Sequence, residues 1–425
     1  MRVVFFVADD GQHGRELWIS DGTTDGTSLV RDIRPGPESS AISQLTPAGN
    51  RVFFTAVNQD GRELWVSDGT RGSTKRVKDI FRGPLGSDPS LLTPMGSDIL
   101  FVADDGRRGR SVWISDGTRS GTKRLLSRKL DRRLNKIEDL LARGRFVYIV
   151  DRSEIVIVKR NSRQLTRVAR PDHRLFSFIG TSLSEVSRSV LVRDKPNLFD
   201  VGSLSFIDRR FRHREIVDVR TGEPVATYFN RDGLPVRNRF FFGRGVVLSG
   251  IPSEARVPDG LWVWDPKVGG AYRVAFPNRE IPHMVPLGRN LVFTMGEVER
   301  TLWYSDGTEA GTHQLFADNV RSLASAGPYA GVMPNAVELW ITDGTAAGTQ
   351  LVADFSTVAI NRGFPPLVGD RGRLWFVVDY IGFGRELWTS DGTFAGTRSP
   401  GDIRPGPEGS DPDQITPAWI VAPTA

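Results

Sequence analysis

The strings RELWISDGTTDGT at residues 15–27 and RELWVSDGTRGST at residues 62–74 repeat one phrase after 47 residues. Four further copies begin at residues 110, 300, 337 and 385, so the tryptophans of the phrase are Trp18, Trp65, Trp113, Trp303, Trp340 and Trp388. Self-similarity with a period of about 20–50 residues is the signature of a repeat architecture. The phrase therefore decides the fold, and the question is whether it also carries chemistry.

Each copy of the phrase stands in a fixed frame of four short segments. In the second copy these are ISQLTPAG (42–49), RVFFTAV (51–57), ELWVSD (63–68) and KRVKDI (75–80), which we name strands A to D. They are rich in β-branched and aromatic residues and are bounded by turn-forming residues, which is typical of strands joined by tight turns. Stacked four-stranded units of about 40–50 residues are the blades of a β-propeller.

Three weaker copies fill the long gap between Trp113 and Trp303. They are SEIVIVKRNSRQLTRV from Ser153, GSLSFIDRRFRHREIV from Gly202 and DGLWVWDPKVGGAYRV from Asp259. The sequence thus predicts an all-β chain that forms one closed propeller domain over residues 1–425, with nine four-stranded blades of about 47 residues. Eight blades is the alternative, if one degraded copy is not a blade. Blades four to six, about 127–276, are divergent and basic.

The two ends of the chain complement each other. The chain begins with a B strand, RVVFFVAD (2–9), and ends with DPDQITPA (411–418), which matches strand A. We therefore expect the C-terminal strand to join the N-terminal blade and close the ring, because closure removes open sheet edges.

The phrase itself is expected to build the fold. Side chains alternate along a strand, so Leu17 and Ile19 face one side while Glu16 and Trp18 face the other. We expect the tryptophans to fill the space between blades, the Asp-Gly pair to make the C–D turn, and the threonine hydroxyls to bond that hairpin. The glutamates of the phrase are expected to be structural and to bond to an arginine of a neighbouring strand; they are Glu16, Glu63, Glu338 and Glu386.

The phrase resembles the motif of the ELWxxDGT repeat proteins, also called hyalin-like, and its turn and strand order resembles a TolB-like β-propeller. Six good and three degraded copies carry this resemblance over almost the whole chain. It implies a bacterial, usually exported repeat protein, and it supplies no catalytic residues. The chain departs from the pattern at residues 123–241, where the phrase loses its tryptophan and its SDGT.

Catalytic and metal sites find little support in the sequence. The five histidines lie in different repeats, and no HExxH, GxSxG or P-loop string occurs. Cysteine is absent, which excludes thiolate metal sites. We therefore predict no catalytic, cofactor-binding or metal-binding residue. The pairs Asp9-Asp10 and Asp104-Asp105 could hold Ca²⁺, but a role in turns is favoured.

The charge map singles out one sector as a partner-binding surface. Residues 123–241 contain 27 Lys and Arg against 14 Asp and Glu, a net charge of +13, whereas the whole chain carries +6. A solvated rim would explain this charge, and so would docking of an acidic protein or another anionic surface. We expect the partner-binding residues in or beside the C–D hairpin of the fifth blade; they are Arg209, Arg210, Arg212, His213 and Arg214. Specific nucleic-acid binding is not expected, because no recognised nucleic-acid fold accompanies the charge.

A second irregularity precedes the sixth blade. The excess of ten residues over the period is expected in VRTGEPVATYFNRDGLPV (219–236), as a D–A loop. In a propeller this loop shares a face with the B–C loops and with the proline-rich D–A loops such as IRPGPESS (33–40). Loops on a rigid frame are where binding sites usually develop.

These patterns favour a non-catalytic, protein-binding or scaffolding module of an exported or cell-surface bacterial assembly. The alternatives are an enzyme, a hydrolase or lyase, with its active site at the axial channel, and a lectin-like binder of anionic polysaccharide. No apolar stretch reaches the roughly 20 residues that span a bilayer. We expect a secreted, periplasmic or cell-surface protein whose leader is absent from this chain. The sequence assigns no oligomeric state.

Overall fold

The computed structural model describes residues 1–126, 134, 281, 283–296, 299–360 and 366–421, together with the strands between residues 137 and 275. In these residues the chain is all-β, without a helix, and its strands form antiparallel sheets. Eight of the nine sheets in this part of the chain have four strands, and one has three. This organisation confirms the predicted all-β class and is consistent with a β-propeller.

Sheets 1 to 3 contain the first three copies of the phrase. Their strands are β1 (Arg2–Asp9), β2 (Arg15–Ser20), β3 (Ser28–Arg31), β4 (Ser43–Ala48), β5 (Arg51–Asn58), β6 (Gly61–Ser67), β7 (Lys75–Arg76), β8 (Ser90–Met95), β9 (Asp98–Asp104), β10 (Arg110–Ser115) and β11 (Lys123–Arg124). Sheet 1 has the order β3-β2-β1-β35, where β35 is Asp413–Trp419. Sheets 2 and 3 have the orders β4-β5-β6-β7 and β8-β9-β10-β11.

Sheets 4 to 6 contain the three weaker copies. Their strands are β12 (Ile137–Arg143), β13 (Phe146–Asp151), β14 (Ile155–Lys159), β15 (Leu165–Val168), β16 (Val190–Asp194), β17 (Leu198–Asp200), β18 (Arg214–Asp218), β19 (Pro224–Tyr228), β20 (Val236–Phe242), β21 (Gly245–Gly250), β22 (Leu261–Asp265) and β23 (Gly270–Ala275). Sheets 4 and 6 follow chain order, but sheet 5 has the order β17-β16-β18-β19.

Sheets 7 to 9 contain the last three copies. Their strands are β24 (Met284–Leu287), β25 (Asn290–Met295), β26 (Thr301–Ser305), β27 (His313–Phe316), β28 (Ser322–Ser325), β29 (Ala330–Met333), β30 (Glu338–Thr342), β31 (Gln350–Asp354), β32 (Leu367–Asp370), β33 (Arg373–Tyr380) and β34 (Gly384–Ser390). All three sheets follow chain order. The chain groups into two compact units, the first Met1–Gly144, Asn335–Glu338 and Val352–Ala425, the second Arg145–Pro334 and Leu339–Leu351.

Sheet 5 corrects two expectations. The predicted C–D hairpin at 202–217 is wrong, because REIV belongs to β18, the third strand of the sheet, which pairs with β16 and β19. The predicted D–A loop at 219–236 is also wrong, since it includes β19 and the first residue of β20. Both expectations failed for the same reason: without the phrase, no repeated residue fixes which segment is strand C.

The two ends of the chain meet in sheet 1, as predicted. β1 pairs with β35 in antiparallel register, with Arg2 opposite Trp419 and Val3 opposite Ala418. The guanidinium groups of Arg2 and Arg371 lie 5.0 and 5.8 Å from the centre of the Trp419 ring, within reach of a cation–π interaction. The first strand of the chain is therefore covered on both edges.

Side chains alternate along the central strands, and the core of the first unit is therefore divided into separate clusters on the two faces of each sheet. Leu17 and Ile19 join a cluster with Trp65 and Phe54 of sheet 2, whereas Trp18 joins a cluster with Trp375 of sheet 9. Phe54 and Trp65 are stacked with their ring centres 6.5 Å apart. The predicted faces of strand C are thus confirmed, and the tryptophans fill the space between neighbouring sheets of this unit.

The SDGT turn is held by its own side chains, as predicted. The Asp68 carboxylate accepts hydrogen bonds from the Thr70 amide, the Thr70 hydroxyl and the Ser73 hydroxyl. Ser67 Oγ accepts from the Gly69 amide at 3.0 Å and lies 2.7 Å from Thr74 Oγ1. The serine or threonine before the Asp is 2.7–2.8 Å from the second threonine in all six copies. The phrase builds its hairpin.

Deletion of residues 411–425 removes β35 and exposes the backbone of β1. We expect the shortened chain to melt at a lower temperature and to aggregate, because an unpaired strand edge recruits other chains. Thermal unfolding and size-exclusion chromatography measure both effects. An unchanged melting temperature with a monodisperse peak would show that the pairing of β1 with β35 contributes nothing to stability.

Substitutions in strand C and its turn separate packing from turn formation. Trp65 is 4% exposed, so Trp65→Ala is expected to lower the free energy of unfolding by about 3–5 kcal/mol. Asp68→Asn keeps the accepting oxygen of the turn and is expected to cost less than about 1 kcal/mol. Denaturant unfolding of both variants tests the ranking, and an equal loss in Asp68→Asn would contradict a turn role for this carboxylate.

Candidate functional site

The predicted partner-binding residues have limited structural description. Arg209, Arg210, Arg212 and His213 lie outside the described residues. Arg214 is the first residue of β18 and pairs with Asp194 of β16, and only its backbone is described. Arg214 therefore begins the third strand of sheet 5. Their binding role stays a prediction.

The paired acids of the B–C loops are occupied by local contacts. Asp9 and Asp10 accept hydrogen bonds from the amides of the same turn, and Asp10 Oδ2 lies 2.7 Å from His13 Nδ1. Asp105 accepts amide hydrogen bonds likewise and pairs with Arg124 at 2.8 Å. The described residues contain no group of three or more His, Cys, Asp or Glu that could hold a metal ion. In this part of the chain the acids form turns.

In sheets 1, 2 and 9 the glutamate of the phrase fastens the D–A loop that leaves the sheet. Glu63 is fully buried, and its carboxylate accepts hydrogen bonds from the amides of Ile80, Phe81 and Ser87 at 3.1–3.2 Å. The Ser87 hydroxyl donates to the second oxygen at 2.5 Å. Glu16 and Glu386 bind their own D–A loops in the same way. For these three glutamates the structural role is confirmed, but the predicted arginine partner is wrong, because backbone amides and a serine satisfy the carboxylates. Glu338 accepts a hydrogen bond from the Asn335 side-chain amide at 3.0 Å.

This fastening holds the B–C and D–A loops together on one side of each sheet. Gly61 has φ +87°, and a side chain there would overlap the backbone of Gly86 in the D–A loop. A parallel bridge joins Arg62 to Gly86, and Arg385 to Gly409 in sheet 9. The two loop types therefore share a face, as the sequence predicts, and they form a rigid frame there.

A cleft of about 310 Å³ opens on this face in sheet 9. It lies between the B–C turn, strand β34 and the start of the D–A loop, and it is lined by Tyr380, Phe383, Glu386, Trp388, Ser399, Gly401 and Asp402. The Tyr380 ring is stacked parallel to that of Trp388 with centres 6.3 Å apart, and Phe383 meets Tyr380 edge-on at 5.5 Å. Phe355 supports the Trp388 ring at 4.9 Å.

The cleft exists because the residue that covers the tryptophan in other sheets is small here. In sheets 2 and 3 the residue opposite the tryptophan is an arginine, Arg76 or Arg124, and the Arg124 guanidinium lies 5.3 Å from the Trp113 ring. In sheet 1 it is Leu29. In sheet 9 Ser399 follows Arg398, which pairs with Thr389. Trp388 is accordingly half-buried, whereas Trp113 is 7% exposed.

The B–C turn of sheet 9 also differs from its counterparts. The last paired residues before this turn are an aspartate and an arginine in sheets 1, 3 and 9: Asp9 with Arg15, Asp104 with Arg110, and Asp379 with Arg385. Tyr380 therefore stands where sheets 1 and 3 have Asp10 and Asp105. Phe383 stands where the others have His13 and Arg108. A polar turn is thereby replaced by two aromatic rings, and the side chain of Phe383 is 50% exposed.

Sequence analysis missed the residues of this cleft, although a signal was present. Aligning the copies shows YIGFG at 380–384 against DGQHG at 10–14 and DGRRG at 105–109. Sheet 9 keeps an intact copy of the phrase, so the phrase itself does not mark this sheet as different. The differences lie in the residues that flank the phrase, and a position-by-position alignment of these flanking residues reveals them.

Two carboxyl groups line the cleft, and only one of them is exposed. Asp402 is exposed at its rim. Glu386 is 3% exposed, and burial raises the pKa of its carboxyl group. Burial likewise raises the pKa of Glu16 and of Glu63 to about 7, against hydrogen bonds from Ser40 and Ser87 that favour the ionised form. The three carboxyl groups have the same kinds of hydrogen-bond donor, and Glu386 also lines the cleft of sheet 9.

Comparison with known proteins shows similarity of fold and nothing beyond it. No family model matches the chain, and no curated protein matches it. Among solved structures, the crystal structure of a eukaryotic initiation factor is similar with a TM-score of 0.58 and 8% identity, over 99% of this chain and 100% of that chain.

Two further structures are similar at lower scores. A computationally designed protein, Ika8, has a TM-score of 0.46 and 15% identity, over 90% of this chain and 97% of that chain. Oligogalacturonate lyase from Vibrio parahaemolyticus has a TM-score of 0.39 and 12% identity, over 80% and 95%. In the described part of the chain, no helix has the length and apolar character needed to cross a bilayer.

Glu63→Gln is expected to reduce the pH dependence of stability. A folded-state pKa of about 7, against an ordinary 4.5, means that the contribution of Glu63 is present below about pH 4.5 and is lost as pH rises through about 7. The full effect is about 3 kcal/mol. Glutamine keeps one oxygen for the three amides and donates its own amide to Ser87, so the variant should lose less stability between about pH 5 and about pH 8.

The measurement is the melting temperature across this range, with Glu309→Gln as the control at an exposed glutamate. Parallel pH profiles of Glu63→Gln and the unaltered protein would contradict the elevated pKa.

Proposed function

We propose that the protein is a non-catalytic binding or scaffolding β-propeller, closed by the pairing of β1 with β35 and built from nine blades in one domain. The single observation that supports this function is the internal use of the repeated polar side chains. In the described copies, the Asp of SDGT holds the turn and the buried glutamates of sheets 1, 2 and 9 hold the D–A loops. The phrase therefore supplies a frame, and function is left to residues that depart from it.

The strongest departure in charge is the sector 123–241, with its net charge of +13. We propose that its segment IDRRFRHRE (207–215) binds an acidic protein. Long-range attraction between opposite charges accelerates such association and makes it sensitive to salt. The remaining 306 residues carry −7, so the chain has an uneven charge distribution that would orient an acidic partner.

The setting of this function is proposed from the phrase. Its likeness to the ELWxxDGT repeat proteins supports a bacterial protein that is exported or held at the cell surface. A propeller frame of this kind would present its loops to partners of a larger surface assembly, because loops on a rigid scaffold commonly carry binding.

Charge reversal tests the binding segment. A docking role requires that the side chains of this segment be solvated, and solvated charges contribute little to stability. Changing Arg209, Arg210, Arg212 and Arg214 together to Glu should therefore leave the melting temperature within about 2 °C. It should weaken binding to poly-L-glutamate at least tenfold, and the affinity of the unaltered protein should fall as salt is added. Titration calorimetry at two salt concentrations measures both.

A matched variant controls for net charge. Arg71, Lys75, Arg107 and Arg119 are four exposed cations of sheets 2 and 3, and their reversal to Glu changes the net charge equally. An equal loss in both variants, or no loss in the first, would exclude the segment as the binding surface. Release of reducing ends from polygalacturonate by the unaltered protein would contradict the non-catalytic proposal.

A further inference from the structure

The cleft of sheet 9 has π faces and negative charge but no cation in its lining. Three of its lining side chains are aromatic, Tyr380, Phe383 and Trp388, and two are acids, Glu386 and Asp402. The faces of aromatic rings attract cations, most strongly where water is excluded. Rings and carboxyl groups together therefore match a ligand that is both apolar in shape and positively charged.

The arginines that surround the cleft are engaged elsewhere. Arg385 Nε lies 3.1 Å from an Asp411 oxygen, and Arg398 Nε donates to the Gly22 carbonyl at 3.3 Å. Arg404 pairs with Asp9 and Glu408. The described contacts thus leave the cation position above Trp388 open, whereas Arg124 holds the corresponding position above Trp113.

Two polar groups of the cleft, those of Glu386 and Ser399, are bound to the protein, whereas Trp388 Nε1 is buried without a hydrogen-bond partner. The Glu386 carboxylate accepts from the amides of Ile403, Arg404 and Ser410 and from the Ser410 hydroxyl. The Ser399 hydroxyl donates to the Gly401 carbonyl at 3.0 Å. A sugar needs several free hydrogen-bonding groups around its hydroxyls, while an alkylated ammonium group needs none. Recognition in this cleft therefore relies on ring faces and charge.

We propose that the cleft of sheet 9 binds a small organic cation with an alkylated ammonium group, of which choline is the simplest soluble example. Ser399 leaves the space, Tyr380, Phe383 and Trp388 contact the methyl groups, and the exposed Asp402 supplies the opposing charge. The volume of about 310 Å³ accommodates a group of this size. The site is separate from the basic segment at 207–215, and neither proposal depends on the other.

Titration calorimetry with choline and with its neutral carbon analogue, 3,3-dimethylbutan-1-ol, tests the role of charge. Choline should bind at least tenfold more tightly than the neutral analogue, because the two share a shape and differ in charge. Equal affinities, or no heat from choline at 10 mM, would overturn the proposal. Tighter binding of galacturonate or glucose than of choline would overturn it as well.

Variants copied from the other sheets test the location. Ser399→Leu reproduces Leu29 beside Trp18 and fills the space without charge, and Ser399→Arg reproduces Arg124 beside Trp113. Both should abolish choline binding while the melting temperature stays within about 3 °C. Because either side chain could disturb the strand, Phe383→Ala serves as a second probe at a side chain that is 50% exposed, and it should weaken binding at least fivefold.

Phe394→Ala is the matched control, since Phe394 is an aromatic residue outside the cleft that is 79% exposed. Its binding should be unchanged. Retained binding in Ser399→Leu, or equal losses in Phe383→Ala and Phe394→Ala, would show that the cation binds elsewhere.

Flotation with phosphatidylcholine vesicles distinguishes the source of the ammonium group. If the protein floats with the vesicles and Ser399→Leu does not, the ligand is a lipid headgroup. If the protein binds choline but does not float with the vesicles, the ligand is a free cation. Either result supports the site.

Discussion

The covering of both faces of each central strand is the constraint on which the rest of this structure depends. Alternate side chains of strand C go to different neighbours, so Leu17 is buried with sheet 2 and Trp18 with sheet 9. A tryptophan left open to water forfeits a large apolar area. In sheets 1 to 3 the D strand places a large side chain opposite the tryptophan, and these side chains are Leu29, Arg76 and Arg124.

The buried glutamate imposes a second requirement that reinforces the first. A carboxyl group such as Glu63 can be buried only if several donors reach it, and these come from residues 17–24 positions later in the same repeat. The D–A loop is consequently folded back on its own sheet, where Gly61 and Gly86 allow the backbones to touch. The face that carries these loops is thereby fixed in shape before any ligand arrives.

Much of this organisation could be predicted from the sequence, because the phrase repeats each structural element six times. The strand positions, the SDGT turn and the division of Leu17 and Trp18 between opposite faces all rest on local spacing. The partners of Glu63 could not be predicted, since spacing does not show which loop folds back. Sheet 5 was mispredicted where the phrase is absent, and β18 took the place expected for another segment. The cleft was missed because it needs the cross-strand register that places Ser399 near Trp388.

The cleft of sheet 9 shows how a frame of equivalent repeats can acquire one distinct place. Sheet 9 keeps the glutamate, the tryptophan and the turn of the phrase, so its backbone is held as in sheets 1 and 2. The changes fall on Tyr380, Phe383 and Ser399, positions whose side chains lie opposite the tryptophan or form the B–C turn and are not donors to the buried glutamate. Substitution there alters what contacts Trp388 at little cost to the sheet, because the buried network below remains complete. In such a fold, binding specificity is therefore most readily gained at the positions opposite the tryptophan and in the B–C turn. The repeated phrase around these positions holds the backbone that carries them.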